Sequence, residues 1–327
     1  MRAAWYSRFG PAADVIELGD LDTPAPGPGE VRVKLQYSGV NPSDAKARSG
    51  SRPGVTRPPF DRVIPHSDGA GVIDAAGDGV DDARIGQPVW IWNGAWQRAF
   101  GTAAEYICLP ATQAVAMPDG LDPRIGATLG IPGLTAAQTV FGGGDVTGQT
   151  LLISGGAGAV GHIAVQLAKW GGAHVIATSS AGSMDRVRAA GADAVFDYSG
   201  TDLAARITEA SGGGIDRAVE VEFGTNAALL GEVMRPLSTI AAYGSGKDMT
   251  PVLSFGSLLF KALKIDITLI YLLPQSQRDG LISRLHAALS AGALVPAVDT
   301  VYPLADCAKA HEAVMTPGRA GAVLLKI

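Results

Sequence analysis

Cysteine is scarce: of 327 residues only Cys108 and Cys307 carry thiols. Two thiols so far apart exclude a disulfide framework and a cysteine-based zinc cluster. A reducing, cytoplasmic setting is the simplest expectation. Positive charge is also short. Lys and Arg number 26 against 31 Asp and Glu, a net charge of −5, so nucleic acid is not an expected partner. Long apolar runs are missing as well. The stretch 258–273 is broken by Lys261, Lys264 and Asp266, which leaves no membrane span and no membrane partner. The opening residues hold no signal-peptide core. Several chemical signatures are absent too: no H-E-x-x-H, no P-loop lysine and no G-x-S-x-G elbow. Neither cysteine has an activating context, so both read as small apolar packing residues.

What remains is a globular chain, 47% hydrophobic and 17% charged, long enough for two domains. It is organised around residues 150–169. An apolar run at 151–154 reads as a buried strand and ends in Gly156-Ala157-Gly158-Ala159-Val160-Gly161, a G-x-G-x-x-G pattern. Val160, Ile163, Ala164, Leu167 and Ala168 then fall on one helical face. Strand, glycine turn and helix together form the context that dinucleotide binding requires. Gly156 is expected to make the tight turn, Gly158 to let backbone approach a pyrophosphate, and Gly161 to let the helix pack closely. The helix N-terminus offers free N–H groups and the positive end of its dipole to phosphate.

Residues 1–120 read as short strands separated by Pro- and Gly-rich turns, among them 31–36, 71–73, 88–92 and 104–109. That pattern predicts a small barrel-like domain. From residue 150 strands and helices alternate. Strands are expected at 151–154, 174–178, 194–196, 216–221, 238–243 and 265–270, with helices between them, which implies a doubly wound parallel sheet. A helix near 277–291, a strand near 298–302, a helix near 305–315 and a strand at 322–327 follow.

Five segments in order resemble the medium-chain dehydrogenase/reductase superfamily: Gly39-Val40-Asn41-Pro42-Ser43-Asp44, Ser67-Asp68-Gly69-Ala70-Gly71-Val72, residues 101–106, residues 130–135 and residues 156–161. The branch resembled is that of the zinc-free quinone oxidoreductases related to zeta-crystallin. The resemblance implies an α/β chain with a GroES-like β-rich catalytic domain built from both ends, 1–123 and 273–327. A Rossmann dinucleotide-binding domain, 124–272, is inserted between them. It also implies a cleft between the domains and a homodimer.

Zinc relatives in this superfamily place Cys where Asn41 stands and His where Ser67 stands, and they carry a four-cysteine lobe between about 85 and 105. None of these ligands is present, so no metal is expected. His66 adjoins a ligand position, but neighbours on an extended segment point to different sides, and it reads as a loop or domain-interface residue.

NAD-specific sites carry an acid at the end of the second strand. Here that strand ends Thr178-Ser179-Ser180 without one. Hydroxyls at Thr178, Ser179 and Ser180, with Arg186 downstream, suit the 2′-phosphate of NADPH. The resemblance assigns a phosphate-holding Tyr to Tyr198; the Lys it expects is Ser183. It places Asn41 and Asp44 at the reacting end, Asn41 to hydrogen-bond an acceptor carbonyl and Asp44 to orient neighbours or cap a helix. Thr135 is placed near the nicotinamide. Tyr243 and Gly244 close the fifth strand, where their backbone meets the cofactor. Trp90, Trp92 and Trp96 suit an aromatic wall or core packing. Arg52, Arg57 and Arg62 lie in a Pro-rich loop. The function implied is NADPH-dependent, zinc-independent hydride transfer to a quinone. Reduction of activated C=C bonds (enones, enals, enoyl thioesters) is an alternative, as is a non-catalytic NADPH-binding or RNA-binding role.

Overall fold

The computed structural model describes residues 1–51 and 54–327; Arg52 of the Pro-rich loop lies outside the described residues. The chain forms two compact units, residues 1–131 with 297–327 and residues 132–296. The sequence set these borders at 123/124 and 272/273. The second border moves because helix Gln275–Ser290 packs on helix Leu134–Phe141 and so stays with the second unit.

The first unit is built on strand Glu30–Val40. Val31, Val33 and Leu35 are buried, while Lys34 and Gln36 face water, the period-two pattern of a half-buried strand. This strand pairs antiparallel with Asp68–Ala76, Tyr106–Pro110 and Ala322–Lys326. Pro88–Ile91 and Ala114–Ala116 extend the sheet on one side, and Val298–Pro303 extends it on the other. Val31, Val33, Ile73, Val89, Ile107 and Leu109 form one core; Ala3, Ala4, Ile64, Val323 and Leu325 form another. Burying each of the larger of these side chains contributes about 1.5–3 kcal/mol.

The second unit holds a six-stranded, all-parallel sheet. Its spatial order is Ala194–Asp197, His174–Ser179, Thr150–Ile153, Ile215–Glu220, Met234–Ala242, Lys264–Ile267. Chain order reverses between Thr150–Ile153 and Ile215–Glu220, the switch point beside which doubly wound sheets bind ligand. Thr150–Ile153 is buried along its whole length, which is why it reads as an unbroken apolar run. Among the described residues no helix is long and apolar enough to cross a membrane.

The glycine turn distributes its tasks differently from the sequence expectation. The left-handed residue is Gly155, at φ +66°, and not Gly156. Gly156 is required for space instead: a β-carbon there would lie 2.9 Å from Val187 Cγ1 and 3.1 Å from Ala177 Cβ. At Gly161 a β-carbon would overlap the Gly155 carbonyl, so helix Ala159–Trp170 starts pressed against the turn. At Gly158 a β-carbon would meet nothing nearer than Gly155 O at 3.5 Å. Gly161→Ala is therefore expected to lower unfolding free energy by about 1–3 kcal/mol through overpacking. Gly158→Ala is expected to cost less than about 1 kcal/mol, the loss of a good N-cap residue. Urea denaturation of the two variants checks this difference.

Candidate functional site

The second unit gathers its candidate residues at the carboxyl edge of its sheet. Gly158 caps helix Ala159–Trp170 in an extended conformation. The first amides of the helix, including those of Ala159, Val160 and Gly161, have no carbonyl a turn behind them. Arg186 Nη2 donates to Ala157 O at 2.6 Å, which puts a guanidinium on the turn itself. Thr178 is buried and takes part through its backbone, its carbonyl accepting from Gly156 N at 2.9 Å. Ser179 is buried too, and its hydroxyl donates to Ser180 O at 3.1 Å. Ser180 Oγ donates to Ser183 Oγ at 3.2 Å. Tyr198 donates its N–H to Ser179 O at 3.1 Å and leaves its ring 58% exposed. Asp197 pairs in register with Ser179; the N–H and hydroxyl of Ser199 hold its carboxyl below the usual range.

Across the switch point stands a group the sequence reading missed. Glu220 ends its strand fully buried and accepts from Ser154 Oγ at 2.5 Å and Asn226 Nδ2 at 3.0 Å. Burial raises its carboxyl above the ordinary range, against the pull of these donors. Tyr243 N donates to Glu220 O at 3.0 Å, and burial pushes its phenol up. Gly244 accepts from Phe223 N at 3.0 Å, and a β-carbon at Gly244 would strike Val221 O. Thr135 is buried in the first turn of helix Leu134–Phe141.

In the first unit Asn41 and Asp44 come together, with Asp68 between the segments they anchor. Asn41 is the N-cap of helix Pro42–Ser49, and Asp44, three residues on, accepts from Asn41 N at 2.8 Å. Asp44 is thus the reciprocal acid of a capping box and not the cap. Asn41 Nδ2 donates to Asp68 Oδ2 at 2.8 Å, and Ile131 N donates to Asp68 Oδ1 at 2.8 Å. Asp68 is wholly buried. Burial pushes its carboxyl well up; the Asn41 and Ile131 donors oppose this, and Asp44 adds to it. A β-carbon at Gly130 would overlap Asp68 Oδ1, and one at Gly39 would lie 2.9 Å from Asp68 Cβ. Gly130 therefore makes room for the carboxyl, and Gly39 makes room for Asp68 Cβ and for the Ala127 carbonyl, which a β-carbon at Gly39 would overlap.

Two readings sharpen. His66 lies in the irregular segment before strand Asp68–Ala76, as a loop residue, but it is wholly buried, with Nδ1 2.8 Å from Ser38 Oγ and its ring stacked on His311. Trp90 is enclosed within strand Pro88–Ile91, so it contributes to the core and not to an aromatic wall.

The raised Asp68 carboxyl has a sign that can be tested. A group whose folded value lies above its unfolded value stabilises the fold fully below the unfolded value and loses that contribution as pH rises through the folded one. Relative to Asp68→Asn, the wild type is expected to lose unfolding free energy progressively as pH rises above about 4, the unfolded carboxylate value. Urea denaturation across that range measures it, and a constant difference would contradict the raised value.

Comparison with known proteins gives the arrangement a family. Residues 27–119 match the alcohol dehydrogenase GroES-like domain, and residues 159–287 match the zinc-binding dehydrogenase domain. A chloroplastic quinone-oxidoreductase homolog of Spinacia oleracea is 35% identical over 229 residues, 67% of either chain. The quinone oxidoreductase of Rattus norvegicus is 28% identical over 337 residues, covering 99% of this chain and 97% of its own. Among solved structures, an NAD-dependent alcohol dehydrogenase superposes with a TM-score of 0.88 at 28% identity. A mycobacterial protein complexed with NADPH superposes at 0.87 and 26%. Each of these pairs is covered along 100% of both chains. The chain is an oxidoreductase of the medium-chain dehydrogenase/reductase superfamily and belongs to its quinone oxidoreductase branch.

Proposed function

We propose that the protein transfers hydride from NADPH to a quinone without zinc. The observation that carries the cofactor choice is the end of strand His174–Ser179. It leads into Ser180, with Tyr198 hydrogen-bonded to Ser179 O and Arg186 on the glycine turn, and its own last residues include no carboxylate to receive a ribose 2′-OH. The fit at the diphosphate rests on two features: the amides of the first helical turn have no intrahelical carbonyl partner, and Arg186 donates to the carbonyl of Ala157 in the same turn. The nicotinamide supplies the hydride when bound, and transfer needs its reacting carbon about 3–3.5 Å from the acceptor.

The protein's own part is binding and orientation. The helix N-terminus and Arg186 hold the diphosphate, and Ser180 and Tyr198 meet the 2′-phosphate. Asn41 commits one Nδ2 proton to Asp68 and keeps a second for an acceptor carbonyl. Asp44 and Asp68 fix that amide by its N–H and its side chain. The positions that carry zinc ligands in metal-dependent relatives are Asn41 and Ser67, poor ligands, and a quinone needs none because solvent provides its proton.

The test is cofactor oxidation followed optically with ortho- and para-quinones, enones and enoyl thioesters. Quinones are expected to turn over, with NADPH bound at least about tenfold more tightly than NADH, which corresponds to about 1.4 kcal/mol. Gly158→Ala is expected to lose cofactor binding while retaining its fold. Equal affinity for the two cofactors removes the 2′-phosphate argument. Turnover of enones alone moves the assignment to C=C reduction, and NADPH binding without turnover of any acceptor leaves a non-catalytic role.

We also infer a homodimer. Strand Lys264–Ile267 is the open edge of the parallel sheet, and the apolar residues around it face water: Phe260 is 89% exposed, Ile267 70% and Leu272 67%. Such an edge invites pairing with a second strand, and a second copy supplies an identical one. Light scattering is expected to give twice 33.4 kDa, and Ile267→Lys is expected to give the monomer mass. A monomeric wild type would overturn this.

A further inference from the structure

The first unit buries a second set of polar groups that the proposed hydride transfer does not use. His66 and His311 are wholly buried and Cys307 is 1% exposed. His66 Nε2 and His311 Nε2 face each other at 2.9 Å. One ligand atom from each of the three side chains lies within 4.8 Å of the others. Cys307 and His311 are four residues apart in helix Cys307–Ala313, so one turn brings thiol and imidazole to the same face. His66 arrives from the segment before strand Asp68–Ala76 with φ +79°, a left-handed conformation uncommon for any residue but glycine.

A chain of hydrogen bonds fixes the protons around His66. Thr102 Oγ1 donates to Asp68 O at 2.5 Å, which uses its only proton. Ser38 Oγ must then donate to Thr102 Oγ1 at 2.7 Å, so the 2.8 Å contact with His66 requires His66 Nδ1 to donate to Ser38. Burial keeps the ring neutral, so Nε2 carries a lone pair facing His311. An imidazole tied by Nδ1–H to a neighbour, with its Nε2 lone pair turned to other donors, has the outer-shell arrangement of a metal ligand. Among the described residues no hydrogen bond ties a proton to His311 Nδ1, so His311 is able to present Nε2 unprotonated.

We propose that His66, His311 and Cys307 bind one Cu(I) ion. Thiolate and imidazole together suit a soft cation. Charge selects the monovalent one. Two neutral imidazoles and one thiolate sum to a single negative charge, which Cu(I) cancels, whereas Zn(II) leaves an uncompensated positive charge in a wholly buried site. The charged groups acting on the thiol from the neighbouring helix, Asp44 and Arg48, are opposite in sign and do not change that balance. Loading replaces the thiol proton of Cys307 and moves the His311 proton from Nε2 to Nδ1. Two nitrogens each about 2 Å from one ion at trigonal angles stand about 3.4 Å apart, so the rings part by about half an ångström. Burial of all three ligands leaves no open coordination position for substrate. Its three ligands are not Asn41 and Ser67, the positions where metal-dependent relatives place zinc, although Ser67 follows His66 in the chain.

The test is an anaerobic titration of the purified protein with Cu(I) against a chromophoric Cu(I) chelator, with a parallel Zn(II) arm. The wild type is expected to withdraw one equivalent of Cu(I), and Cys108→Ser to do the same. Cys307→Ser and His311→Gln are each expected to weaken binding by at least about tenfold. X-ray absorption of the loaded wild type needs no variant and is expected to show one sulfur and two imidazole nitrogens. The proposal is overturned by no Cu(I) uptake, by uptake of Zn(II) in preference to Cu(I), by wild-type binding in both ligand variants, or by a coordination shell without imidazole.

Discussion

Both candidate sites depend on one constraint: a polar group held where a β-carbon would otherwise stand. In the second unit the Gly155 carbonyl occupies the space that a side chain at Gly161 would need. Helix Ala159–Trp170 can therefore begin directly against the turn, its first amides without an intrahelical acceptor. In the first unit the Asp68 carboxyl occupies the space beside Gly130, and the Ala127 carbonyl and Asp68 Cβ occupy the space beside Gly39. Three segments distant in sequence converge there, and Asn41 and Ile131 supply the donors. Any other residue at Gly161 or Gly130 forces a choice between the backbone path and the polar group. The glycines are thus structural conditions for the sites as well as points of ligand approach.

The acids and imidazoles around these sites share a second property. Burial drives Asp68 and Glu220 towards their neutral forms and holds His66 and His311 neutral. Each is accommodated by hydrogen bonds from amides, hydroxyls or another ring. These four groups are thus kept polar and close to neutral where they are buried, in an interior that also holds the buried Arg48, Arg217 and Arg278.

The sequence made the second unit legible because its signals are local. Strand Thr150–Ile153, the glycine turn and helix Ala159–Trp170 follow one another without interruption, and the alternation behind them gives the parallel sheet. Periodicity does not carry long-range partners. It shows Ser67-Asp68 as a motif, but not that Gly39 and Gly130 flank the Asp68 side chain. It places His66 next to a ligand position, but not against His311, which lies 245 residues away. It finds the glycines of the turn but assigns the tight turn to Gly156, because G-x-G-x-x-G begins there; the left-handed residue of the turn is Gly155. Whether Asp44 orients its neighbours or caps a helix was open for the same reason, and only the observed bond between Asp44 and Asn41 N decides it.

Strand Glu30–Val40 also has a consequence for how the molecule is made. Its partner Ala322–Lys326 belongs to the last stretch of the chain. Residues 132–296 form a contiguous unit with its own sheet. During synthesis that unit is complete while the first still lacks the strand covering one flank of Glu30–Val40. Pairing between distant strands is slow because loop closure precedes it. The nascent chain therefore carries an open sheet edge beside a finished domain, the kind of surface that chaperones recognise.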